Sequence, residues 1–148
     1  MSKRHVLLLS LSLCSATACS KSEPQGRNVE YGDAVGIEFG DPTTGRFLAA
    51  VAAEKGHSPE KGVPALASAL QEASRGCPSL ANEAADQKSL PTLHLTVKNG
   101  KLQAMPIGPH DLPSAACMSK ALDGKPTPLE SPTPYELTIQ LLRKKASE

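Results

Sequence analysis

The sequence predicts an α+β domain, a small antiparallel sheet with two or three helices on one face. Three observations predict it. Leu93, Leu95 and Val97 alternate with polar residues up to Asn99-Gly100, a pair suited to a type I′ hairpin turn because both positions need positive φ. Tyr135, Leu137, Ile139 and Leu141 alternate with Glu136, Thr138 and Gln140 near the C-terminus. Behind Pro64, Leu66, Ala69, Leu70 and Ala73 recur at helical spacing up to Gly76.

The chain opens on a short positive head, Lys3 and Arg4, followed by a Leu-rich run from Val6 to Leu13 that only Ser10 and Ser12 interrupt. That run falls far short of the ~20 apolar residues of a membrane-spanning helix, so residues 1–18 read as a secretory signal peptide. Small residues then lead from Ser15 through Ala18 to Cys19. This arrangement resembles the lipobox of bacterial lipoproteins, with Ala16 at the position that usually holds Leu. The resemblance implies lipidation of Cys19 and a membrane anchor. Ser20 in place of Asp after the cysteine is similar to the outer-membrane class. Ordinary cleavage near Ala18, releasing a soluble protein, is the alternative. Residues 19–34 are polar with Pro and Gly and read as a flexible tether.

The body is expected over residues 35–142, with 143–148 a polar tail. Val35, Ile37 and Phe39 alternate with Gly36, Glu38 and Gly40, a short strand. Asp41-Pro42 can then start a helix, and Ala49 to Lys55 has high helix propensity, so a helix is expected there. A hairpin returning through Phe47 to Val51 is the rival, favoured by Gly45. Pro64 opens the next helix. The hairpin strands follow, from Thr92 and from Leu102 to about Ile107. Asp111 and Ser114 can cap a third helix that runs to about Leu122 with Pro113 in its first turn. Residues 123–134 hold four prolines and form an extended connector to the last strand.

Beyond Cys19, Cys77 ends one helix and Cys117 lies in another. An even pair in an exported chain reads as a disulfide, with two buried thiols as the alternative. The run of Ala69, Leu70 and Cys77, the hairpin LHLTVKNGKL, AACMSKAL around Cys117 and the strand YELTIQLL together resemble a known domain type. It is the TonB C-terminal-like domain of myxobacterial envelope and gliding-motility proteins (the AgmX/PglI C-terminal type), matched over about residues 63–142. The resemblance implies paired cysteines, a sheet that offers an edge strand to another envelope protein, and a place in a motility or secretion machine.

Composition excludes several classes. The 16 basic and 15 acidic residues nearly cancel, and taking Lys3 and Arg4 from the 16 leaves 14 against 15 in the mature chain. No basic stripe exists to neutralise phosphates, so nucleic acid is not expected as a partner. Two Phe, two Tyr and no Trp leave few rings for stacking on bases or sugars. His5 lies in the leader, and His57, His94 and His110 show no HxH or HxxxH spacing, so neither a metal nor a cofactor is expected. His94 should point to solvent from the polar face of its strand. His110-Asp111 reads as a cap rather than an acid–base pair. No catalytic residue is assigned. The function expected is that of an outer-membrane lipoprotein acting non-catalytically by protein contact, with Glu136, Thr138 and Gln140 of the last strand as the candidate partner edge and an ordinary core strand as the alternative for that segment. A small-ligand carrier or enzyme is the runner-up.

Overall fold

A computed structural model describes residues 29–42, 45–86, 89–108, 112–127, 129 and 131–144. The leader, Cys19, most of the tether, His110, Asp111 and residues 145–148 lie outside the described residues.

Two hairpins and a last strand form one five-stranded antiparallel sheet. The strands are β1 (Tyr31–Asp41), β2 (Gly45–Glu54), β3 (Thr92–Lys98), β4 (Lys101–Ile107) and β5 (Tyr135–Arg143). Their spatial order is β1-β2-β5-β3-β4. A short 3₁₀ turn (Pro59–Gly62) leads into α1 (Val63–Arg75), and α2 (Pro78–Ala85) and α3 (Pro113–Leu122) complete the helical layer.

The α+β class and the positions of α1, α3, β3, β4 and β5 agree with the sequence reading. The 49–55 helix does not form; the rival hairpin does. Phe47, Ala49, Val51 and Ala53 alternate into the core while Leu48, Ala50 and Ala52 face the other way. Burial of one face in a sheet outweighs the modest helix preference of an Ala-rich run. Gly40 at φ 92° and Gly45 at φ 95° flank the turn. A Cβ on Gly40 would run into the Gly45 carbonyl, so this strand end requires glycine. The tether is shorter than expected, since strand pairing already starts at Tyr31, with an irregularity between Tyr31 and Ala34.

Helix α2 was not expected. Pro78 in its first turn and the Leu80–Ala84 spacing were its only signals. Its Glu83 decides how α3 begins. Ser114 is not the N-cap, which is Leu112, without a side-chain hydrogen bond. The Ser114 N–H donates instead to Glu83 Oε1 at 3.0 Å, and its hydroxyl donates to Glu83 Oε2. A carboxylate from one helix thus satisfies and faces the positive end of another while itself 5 % exposed. Glu83→Ala should lower unfolding stability by about 2–3 kcal/mol in urea titration, because it strands buried donors, and Glu83→Gln should recover part of the loss.

The core lies between this helical layer and one face of the sheet. Leu66, Leu70, Leu80, Met118 and Leu122 pack onto Phe47, Leu93, Leu95, Leu137 and Ile139, all fully buried. Phe39 and Phe47 stack with ring centroids 5.4 Å apart. Cys77, between α1 and α2, is bonded to Cys117 of α3, with Cα atoms 5.8 Å apart. The bond ties the three helices together above a core with few aromatic side chains.

Candidate functional site

The helices cover one face of the sheet; no described helix covers the other. Every second strand residue points to that open face, and the register sets its rows. One row runs Gly36, Ala50, Gln140, Thr92, Ile107, and the next runs Ala34, Ala52, Thr138, His94, Met105. Four large apolar residues stand out to solvent among the described residues: Met105 (58 % exposed), Ile107 (42 %), Tyr31 (38 %) and Leu142 (38 %). All four belong to this face, since Leu142 pairs with Leu48 and Tyr31 with Glu54 in the outward phase of the ladder. The β1–β2 side of the face is floored by small residues, and the β4 side stands higher.

The expected partner edge is corrected by the strand order. Glu136, Thr138 and Gln140 do face outward, but β5 is the middle strand, bonded to β2 on one side and to β3 on the other. It has no free edge. The real edges are β1 and β4. The connector closes β4: the Leu102 N–H donates to the Lys125 carbonyl (2.9 Å), Gly124 donates to Leu102 (2.7 Å) and Thr127 to Gly100 (2.8 Å). The Ala104 N–H donates to Asp123 and its carbonyl accepts from Ser119. On β1 the outward Gly40 N–H donates to Gln71 Oε1 of α1 at 2.6 Å. The β4 edge is thus closed, whereas on β1 the bulge and the Gln71 bond cover only the two ends and leave Ala34 to Glu38 as an open stretch of edge.

A polar cluster occupies one end of the open face. His94 lies 3.4 Å from the Tyr31 hydroxyl through Nδ1 and 3.6 Å from Glu136 Oε2 through Nε2. The Glu136 N–H donates to Glu54 Oε2. His94 faces outward as expected, yet its side chain is only 17 % exposed because Tyr31 and Glu136 flank it. At the other end the Lys144 ammonium sits 2.7 Å from both Glu38 oxygens, and its hydrogen bond and charge hold that carboxyl below its usual pKa.

The other described histidine is on the opposite side of the sheet. His57 stacks on Tyr135 with centroids 4.1 Å apart, and its Nε2 is 3.4 Å from Ser131 Oγ. Its Nδ1 is buried with no hydrogen-bond partner among the described residues. The two histidines cannot share a ligand across the sheet. Among the described residues no group of three or more His, Cys, Asp or Glu is placed to hold a metal ion, and no helix is long and apolar enough to cross a membrane. Two open surface hollows of about 440 Å³ flank the Asn99-Gly100 turn, one against Ser131 and Pro132, the other against Gln103 and Asp123. Neither is enclosed by apolar side chains as small-ligand sites usually are.

Burial pushes the Tyr135 phenol up to about 12. An acid whose folded pKa lies above its unfolded value of 10.0 contributes stability below that pH and loses it as pH rises toward the folded pKa. Stability of the parent chain should therefore fall more steeply between pH 10 and about 12 than that of Tyr135→Phe, which has no phenol to ionise. Denaturant midpoints measured across that range for both proteins check this.

Comparison with protein-family models, with curated proteins and with solved structures finds no match. The TonB-like resemblance therefore rests on this chain's own residues, and the functional reading on the geometry of the open face.

Proposed function

We propose that this chain is a non-catalytic lipoprotein of the bacterial outer membrane that works as a binding or scaffold component of an envelope complex. A single observation carries the binding role: the four exposed large apolar residues gather on the one sheet face that no helix covers. Met105 and Ile107 stand side by side on β4, and exposed large apolar side chains grouped in this way on one face of a small domain mark a contact site. With β4 closed and β5 central, strand addition, the mode implied by the TonB-like resemblance, has only the short Ala34–Glu38 stretch of β1, and the exposed apolar side chains favour the flat of the sheet as the working surface. That resemblance still supports a machine of the gliding-motility or secretion kind.

The anchor follows from Cys19 and the small residues before it. A single acyl chain holds a protein to a bilayer only marginally, so the lipoprotein reading requires more than one chain on Cys19. Cys19→Ala should abolish incorporation of labelled fatty acid and leave the protein unprocessed or in the soluble fraction. Normal processing and membrane retention of that variant would refute the anchor. For the face, the double variant Met105→Glu, Ile107→Glu should keep the parent's thermal stability, because both side chains are solvent-exposed, and lose its envelope partners in affinity capture. Unchanged capture would refute the face as the contact site.

A further inference from the structure

Resting on the reading of the open face as a contact surface, we infer that its occupant is a second copy of this chain, packed face to face about a two-fold axis that runs along β5. The argument is one of self-complementary shape. β5 is the third of five strands, so a rotation about it lays β4 of one copy over β1 of the other and β3 over β2. The rows stay at their own level under this rotation. Ile107, at one end of its row, falls on Gly36 at the other end, and Met105 falls on Ala34. In these two rows the large side chain of β4 meets the smallest one of β1; in the row of Tyr31 that ring meets Gln103, and Glu136 faces its own copy across the axis. The small residues Ala50 and Ala52 of β2 then receive Thr92 and His94 of the partner's β3.

Gly36 fits this role from its own surroundings. A Cβ there would meet Leu48 Cδ1 at 3.4 Å, an ordinary contact, and its backbone is not in the left-handed region. The fold does not require glycine at that point, whereas a side chain packed above it would. Charge does not select the pairing: the rotation carries Lys98 and Lys101 toward the end of the β1–β2 side, where Glu30 already holds Lys55 at 3.0 Å and Glu54 accepts the Glu136 N–H, so shape and area carry the inference.

The area is sufficient. Five strands spaced about 4.8 Å apart and some seven residues long at about 3.3 Å each give a face of roughly 24 by 23 Å. Two such faces bury on the order of 1,100–1,200 Å², at the lower bound for a specific interface. Aligned stacking of two sheets about 10 Å apart is a common way for such faces to be covered.

Cross-linking of the full chain in its own envelope tests this. Gln140→Cys places a thiol beside the axis on an exposed position, and a bismaleimide of about 10 Å reach matches the sheet separation. The expected product is a covalent species of twice the chain's mass. Lys120→Cys, exposed on α3, should give none. Adding Met105→Glu should cut the dimer yield about tenfold or more, because the carboxylate would be buried against Ala34 without a partner. Ala34→Trp, which fills the floor from the other side, should do the same. Absence of the doubled species, or a yield unchanged by both variants, overturns the inference. An adduct of a different mass also overturns it while leaving the contact role of the face intact. A failed anchor would change the fraction in which the species is found but not its mass.

Discussion

Thr138→Pro should unfold the protein. Thr138 pairs with Ala52 of β2 and with His94 of β3, so whichever neighbour its N–H faces, proline removes a ladder bond at the centre of the sheet. Its ring must also displace an adjacent strand. The expected cost is at least about 3 kcal/mol, a large part of the 5–15 kcal/mol that typically holds a domain of this size. Far-UV circular dichroism and the urea midpoint read it directly. Gly36→Pro is the contrast. Strand alternation from Gly40, whose N–H points away from β2 to Gln71, places the Gly36 N–H on the free edge, where no ladder bond is lost. A folded Thr138→Pro protein with a parental urea midpoint would contradict the central placement of β5.

Breaking the Cys77–Cys117 bond should have the next largest effect. The bond closes a loop of 40 residues, for which the chain-entropy relation gives about 4 kcal/mol; measured losses in small exported domains span about 2–5 kcal/mol. Besides this bond, α3 is held by Glu83 of α2 at its start and by Met118 and Leu122, which share the core with Leu66, Leu70 and Leu80 of α1 and α2. Cys77→Ser with Cys117→Ser should lower the urea midpoint accordingly, and non-reducing digestion of the parent should release a cross-linked peptide containing both cysteines. Free thiols at both positions in protein from an oxidising envelope, or a double variant as stable as the parent, would contradict this role.

What the sequence made legible follows from how local each signal is. Strands β3 and β4 announce themselves through alternation around Asn99-Gly100, and both turn residues do adopt positive φ, 52° and 67°. Helix α1 carries its apolar stripe and its Pro and Gly boundaries. The β1–β2 hairpin was obscured because the open face of β2 is built from Ala50 and Ala52, so apolar residues occupy both phases and the period of two loses contrast. Those small residues belong to the face itself; the feature that hid the strand is part of the candidate site. Helix α2 spans only 8 residues and places a glutamate in the core, against the pattern that marks a buried face. The outward phase of Glu136, Thr138 and Gln140 was legible, but the position of β5 in the sheet was not. Strand order is set by pairing with β2 and β3, at least some forty residues distant, and no local pattern records it.

The contact role of the open face is tested most directly by oxidative footprinting of Met105 in intact envelopes and again after solubilisation and dilution. Met105 is 58 % exposed in the isolated chain and Met118 is fully buried, so the second serves as an internal reference in the same digest. A covered face predicts that sulfoxide formation at Met105 is several-fold slower in the envelope than in the diluted protein, with Met118 slow in both. Equal and rapid oxidation of Met105 in the two states would contradict it.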